Sequence, residues 1–96
     1  MIADEYKLGQ NYPNPFNPET VIRYHMERKE TATLAVYNVA GKWIRDLCID
    51  RLHTPDYHEI SWDCRNASGE PVSGGIYFYR LSTPSLVVTN KMLLLK

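Results

Sequence analysis

Glu19-Thr20-Val21-Ile22-Arg23-Tyr24-His25-Met26, followed by Thr31-Ala32-Thr33-Leu34-Ala35-Val36-Tyr37-Asn38, decides the fold. In the first stretch Ile22, Tyr24 and Met26 fall on one face while Arg23 and His25 point the other way. In the second, Ala32, Leu34 and Val36 share a face opposite Thr33, Ala35 and Tyr37. A period of two belongs to antiparallel strands with one face buried, and a helix would repeat at three and four. The charged run between them, 27–30, reads as a turn.

Outward from this pair the pattern persists. Asn38-Val39-Ala40-Gly41-Lys42 places an Asn that bonds its own backbone beside a Gly that tolerates positive φ, the chemistry of a tight reversal. An extended segment over 43–49 and an alternating one over 57–63, with His58, Ile60 and Trp62 on one face, flank a Thr54-Pro55-Asp56 turn and read as a hairpin. The stretch 63–75 carries Asn66, Ser68, Gly69, Pro71, Gly74 and Gly75 and reads as a loop. Tyr77, Tyr79 and Leu81 then share a face, with Phe78 and Arg80 opposite. A turn at 83–85 precedes a last strand from about Val87 to the end. Six strands and a seventh near 6–10 predict an all-β, immunoglobulin-like (Greek-key) antiparallel sandwich with Trp62 at its centre.

The bulk properties bound the function. Ninety-six residues make one domain, here a lead-in over 1–18 and a sandwich over 19–96. Eleven basic and eleven acidic residues leave no net charge to gather nucleic acid, so no nucleic-acid partner is expected. No stretch approaches the roughly 18 apolar residues of a membrane helix, and no basic-then-apolar leader opens the chain. If the chain is exported, its signal is expected on a larger precursor or at the other end.

Several constellations have readings simpler than chemistry. Cys48 and Cys64 form an even pair, but on a hairpin turning near Pro55 they stand about 10 Å apart along the strand, so two buried, unbridged thiols are expected. Cys48, His53, His58 and Cys64 lack the close pairing of zinc ligands, and His58 is expected to pack near Trp62. Asp63, Asn66, Ser68 and Glu70 lack the alternating acids of a calcium loop and read as an Asx-type turn. No nucleophile elbow, metalloprotease helix or phosphate-cradling loop is present, so neither catalysis nor a cofactor or metal is expected.

The two ends hold the distinctive motifs. Asn11-Tyr12-Pro13-Asn14-Pro15-Phe16-Asn17-Pro18 is held extended by its prolines and reads as a rigid lead-in whose Tyr12 and Phe16 cover one end of the sandwich. In Lys91-Met92-Leu93-Leu94-Leu95-Lys96 apolar residues occupy both strand faces. Either this strand lies inside a sheet, with Leu93 or Leu95 padding a loop, or it is read in extended form by a partner.

Taken in order, Tyr12 to Thr20, Val36-Tyr37-Asn38-Val39-Ala40-Gly41-Lys42, Trp62-Asp63, Gly75-Ile76-Tyr77-Phe78-Tyr79-Arg80-Leu81 and the closing 91–96 resemble the C-terminal sorting domains of the type IX secretion system. The related immunoglobulin-like domain of flagellar hook-capping proteins is also similar. The chain departs from the family where Cys64 stands for a usual Gly after Trp-Asp, Asn66 for an Asp, and Asp56 for a Gly.

The resemblance implies a non-catalytic module at the C-terminus of a larger exported protein. Its partners would be an N-terminal passenger in the same precursor and the secretion machinery. It would pass through the periplasm to the cell surface or medium, recognised chiefly through Lys91, Met92, Leu93, Leu94, Leu95 and Lys96. The lead-in Pro13, Asn14, Pro15, Phe16, Asn17 and Pro18, with Gly41, Trp62, Asp63, Gly75, Tyr77 and Tyr79, would be structural. Two rivals are a structural module of a hook-capping or scaffold protein, and a carbohydrate-binding accessory using Trp43 or exposed tyrosines. The alternating core placement of most aromatics disfavours the second.

Overall fold

The computed structural model describes residues 8–15 and 18–95. Part of the expected first strand, Phe16, Asn17 and Lys96 lie outside the described residues. The strands are β1 (Thr20–Met26), β2 (Glu30–Asn38), β3 (Trp43–His53), β4 (Asp56–Trp62), β5 (Gly75–Thr83) and β6 (Leu86–Leu94). All pairings are antiparallel, in a two-stranded sheet β1-β4 and a four-stranded sheet β3-β2-β5-β6. No helix of the described residues is long and apolar enough to cross a membrane.

Among the described residues six strands form rather than the expected seven. Residues 8–12 add to the outer edge of β1 only through isolated bridges, Leu8 with Tyr24 and Tyr12 with Val21. Gly9 N–H donates to Arg23 O, and Tyr12 and Val21 exchange two bonds, all at 2.9 Å. Between these contacts the lead-in departs from a regular ladder, and the peptides before Pro13 and Pro15 are cis. With it, the layers read lead-in–β1–β4 against β3-β2-β5-β6, the immunoglobulin arrangement. Tyr77 adds a familiar detail of that fold: its hydroxyl donates to Ser73 O at 2.6 Å, pinning the loop that enters β5.

The segments around 43–49 and 57–63 do not form a hairpin. β3 pairs with β2, and β4 pairs with β1 from Thr20↔Trp62 to Met26↔Asp56, so the chain changes sheets at Thr54-Pro55. Alternation and turn residues show where a chain reverses but do not choose its neighbour. Here the apolar faces are covered better by two facing layers than by one continuous ribbon. The 38–42 reversal is a true hairpin: Asn38 Oδ1 accepts from the Ala40 and Lys42 N–H groups, and Gly41 takes φ +83°.

The core follows the alternation. Ile22, Tyr24, Met26, Ala32, Leu34, Val36, Tyr77, Tyr79 and Leu81 are buried, with Trp62 fully so and edge-on to Tyr77 at 5.4 Å. His58 stacks on Tyr24 at 5.7 Å and meets His53 edge-on at 4.6 Å, which corrects its expected position beside Trp62. Tyr12 is 79% exposed and covers nothing, because it binds Val21 of β1 through its own backbone and leaves the ring outside. Cys48 and Cys64 are buried and unbridged. Cys48 donates to Ala32 O and Cys64 to Pro18 O.

A buried polar cluster ties the lead-in to both sheets. Tyr79 Oη donates to Gly9 O at 2.7 Å and accepts from Asn11 N–H at 2.9 Å. Asn11, itself buried, donates through Nδ2 to Thr20 Oγ1 at 2.9 Å and Pro13 O at 3.1 Å. Thr20 Oγ1 also donates to Pro13 O.

Replacing Tyr79 by Phe leaves Gly9 O and Asn11 N–H without that partner, and we predict a loss of about 1–3 kcal/mol in urea unfolding. A change within about 0.5 kcal/mol, the range of an ordinary surface substitution, would show that the cluster does not anchor the lead-in. Burial holds the Tyr24 and Tyr79 phenols above their ordinary range, for Tyr24 with the neighbouring Cys48 adding to it and for Tyr79 against hydrogen bonds from Asn90 and Asn11. A raised folded pKa contributes stability that is complete below the unfolded value of about 10 and is lost as pH rises beyond it. The urea midpoint is therefore expected to fall above about pH 10, less steeply in Tyr24→Phe; equal slopes in the two proteins would refute the assignment to Tyr24.

Candidate functional site: the edge of the last strand

β6 lies at the edge of the four-stranded sheet, paired with β5 from Gly75↔Leu94 to Thr83↔Leu86. This removes the reading in which the closing strand lies inside a sheet. Val88, Met92 and Leu94 face the core. On the opposite face Leu93 is 38% and Leu95 48% exposed, and Leu93 stands across from the exposed Ile76. The doubled apolar character of this segment therefore divides into a buried row and a solvent-facing row.

The backbone edge of β6 is not bare. Leu93 N–H donates to Asn14 Oδ1 at 3.0 Å, and Lys91 O accepts from Gln10 Nε2 at 2.9 Å. Because peptide groups two residues apart point the same way along a strand, both face away from β5. Inside the sandwich, Asn90 Nδ2 donates to Leu8 O at 2.9 Å. The contacts advance together, residues 8, 10 and 14 meeting 90, 91 and 93, so the lead-in runs parallel to β6.

The expected site residues thus separate into groups. Asn14 of the lead-in meets Leu93 of the closing segment, while Pro13 accepts bonds from the buried Asn11–Thr20 cluster. Trp62 and Tyr77 meet in the core, and Asp63 is paired with Arg45 at 2.9 Å. Gly41 and Gly75 take φ of +83° and +142°. Gln10, Asn11, Thr20 and Asn90 were missed by the sequence reading. Asn90 carried a signal, because it interrupts the inward row Val88, Met92, Leu94 with an amide that must find a partner. Asn11 carried a weaker one, an amide at the entry to a proline-rich stretch.

The other constellations do not converge. Asn66 Oδ1 accepts from Ser68 and Glu70 N–H, which makes it the centre of an Asx turn. Among the described residues no group of three or more His, Cys, Asp or Glu is arranged to hold a metal ion. A depression of about 430 Å³ beside Val39, Ile44 and Val72 also includes Tyr77, whose hydroxyl is turned to Ser73. Trp43 is half exposed, with its indole N–H on Asp46 Oδ1, and Arg80 lies over the Tyr37 ring at 4.6 Å. What the β6 region offers chemically is a row of peptide groups flanked by apolar side chains, a surface for recognising extended chain.

Comparisons with known proteins bear on this arrangement. No curated protein matches the chain. Dimeric latent PorU from Porphyromonas gingivalis has a similar structure, with a TM-score of 0.72 at 19% identity over 90% of this chain and 9% of that one. PorZ, described as an essential bacterial surface component of the type-IX secretion system of the same organism, gives 0.68 at 16% identity over 99% of this chain and 12% of that one. This chain thus spans about a tenth of either protein, and at such identities the likeness is one of fold. The model of the secretion system C-terminal sorting domain matches residues 10–95, from the amide of Gln10 through the last strand, and the chain belongs to that family.

Proposed function

We propose that this sorting domain is the C-terminal module of a larger exported protein and is read by the secretion machinery through residues 91–96. It carries the passenger ahead of it through the periplasm to the cell surface or medium, and performs no chemistry itself. The observation that carries this reading is the position of β6: an edge strand whose outward row, beyond Lys91, ends in the apolar Leu93 and Leu95 beside Ile76, where a sheet edge ordinarily carries charge. An isolated domain gains nothing from that pattern, and a partner that covers it does.

The test is a periplasm-targeted fluorescent reporter fused ahead of residues 1–96 in a host with type IX secretion. Leu93→Glu with Leu95→Glu leaves the buried Met92 and Leu94 in place, so the domain is expected to stay folded by circular dichroism. Delivery to the surface or medium is expected to fall about tenfold or more, since burying each leucine against a partner is worth roughly 1.5 kcal/mol or more. Wild-type delivery by the double variant would overturn recognition through this face.

A further inference from the structure

Resting on the reading just given, we propose that the edge of β6 from Lys91 to Leu93 receives an extended strand of the secretion machinery, and that the side-chain amides of Gln10 and Asn14 are an intramolecular cover which that strand displaces.

The geometry of the two bonds is the ground for this. In a parallel neighbour, the N–H and C=O of a single residue opposite Met92 would bond Lys91 O and Leu93 N–H. Gln10 supplies a donor to Lys91 O and Asn14 an acceptor to Leu93 N–H. The two side chains therefore fill the places of one residue of an added strand, on a segment that runs in the matching direction. An edge with these groups bare invites pairing with any exposed strand, and capping them with amides protects the domain until the right partner arrives.

Cover and anchor meet at one bond, from Gln10 Nε2 to Asn11 Oδ1 at 2.5 Å. Gln10 and Asn14 are exposed, and their bonds to β6 lie at the surface where water competes for them. Asn11, between them in sequence, is buried and held by Thr20, Pro13 and Tyr79. Asn14 can release β6 by side-chain rotation, and Gln10 can give up Lys91 O while its amide still donates to Asn11, which keeps the lead-in on the sandwich. The occupant is an extended backbone segment and not a helix or a small molecule, because the surface uncovered is a pair of peptide groups one strand residue apart, bordered by Leu93 and Leu95.

The experiment uses the same reporter fusion with two variants. Gln10→Ala with Asn14→Ala truncates two exposed side chains and opens the cover; it also removes the Gln10 bond to the buried Asn11, so its fold is checked by circular dichroism. Leu93→Pro removes an edge N–H that makes no bond to β5, a position where a strand admits proline. In the opened variant, amide exchange at Leu93 is expected to quicken about tenfold while Met92 stays protected. Early delivery is expected to rise about two- to tenfold, because a larger fraction of molecules is competent to bind. Leu93→Pro is expected to lower delivery about tenfold with the domain folded.

Opened variants delivered no faster than wild type would overturn the cover, whatever Leu93→Pro does. Wild-type delivery by a folded Leu93→Pro, with Leu93→Glu/Leu95→Glu still defective, would overturn strand addition while leaving recognition of the apolar face standing. Dimerisation of the opened variant on size exclusion without faster delivery would make a second copy the occupant and overturn the proposal. No delivery of the wild-type fusion would overturn the sorting reading and this inference together.

Discussion

The fold depends on a phenol and an amide. The sheet formed by β1 and β4 has only two strands, and a two-stranded ribbon is marginal in water. It is completed by the lead-in, whose described residues form only isolated bridges and so do not hold their place by ladder bonds alone. Tyr79, from the middle of the opposite sheet, reaches across to bond Gly9 and Asn11, and Asn11 in turn fastens Pro13 and Thr20. Each buried polar atom in the cluster is satisfied only if the others are in position. The arrangement therefore specifies one placement of the lead-in, where apolar packing would accept several.

Much of the sandwich was legible because burial on one face writes a period of two into the sequence. The inward rows Ile22-Tyr24-Met26 and Tyr77-Tyr79-Leu81 are buried as read, and the 38–42 turn uses Asn38 and Gly41 in the roles their chemistry predicts. Strand partnership was not legible. Thr54-Pro55-Asp56 announces a change of direction, and the same residues serve a hairpin or a crossing between sheets. The choice was made by the complementarity of β4 with β1, a contact between residues far apart in sequence. The candidate site was half legible: the apolar closing segment could be named, but its edge position and the amides lying on it come from the return of the lead-in.

Two of the three departures from the family pattern find physical reasons. Cys64 stands where the family usually has glycine, and it takes φ +64°, a left-handed conformation that glycine adopts at no cost. Its side chain is buried and its thiol donates to Pro18 O, so the strained position gives the lead-in one more attachment to the sandwich. Asn66, in place of the usual aspartate, keeps the acceptor the turn requires, since its Oδ1 takes the N–H groups of Ser68 and Glu70. A neutral amide supports that turn without adding charge to a loop where Asp63 already pairs with Arg45.

The parallel course of the lead-in and β6 has a mechanical meaning. Leu8 lies beside Asn90 and Asn14 beside Leu93, so Leu8 and the end of the last strand lie at opposite ends of this shared stretch. Tension between a passenger ahead of the domain and a grip on its final residues would draw the two segments past each other lengthwise. The amide contacts and the buried Asn11–Tyr79 cluster would share that load together, as a lap joint does, whereas an antiparallel pair pulled from one end would open one bond at a time. Such a joint would resist a pull along β6 while leaving the β6 edge open to a sideways approach.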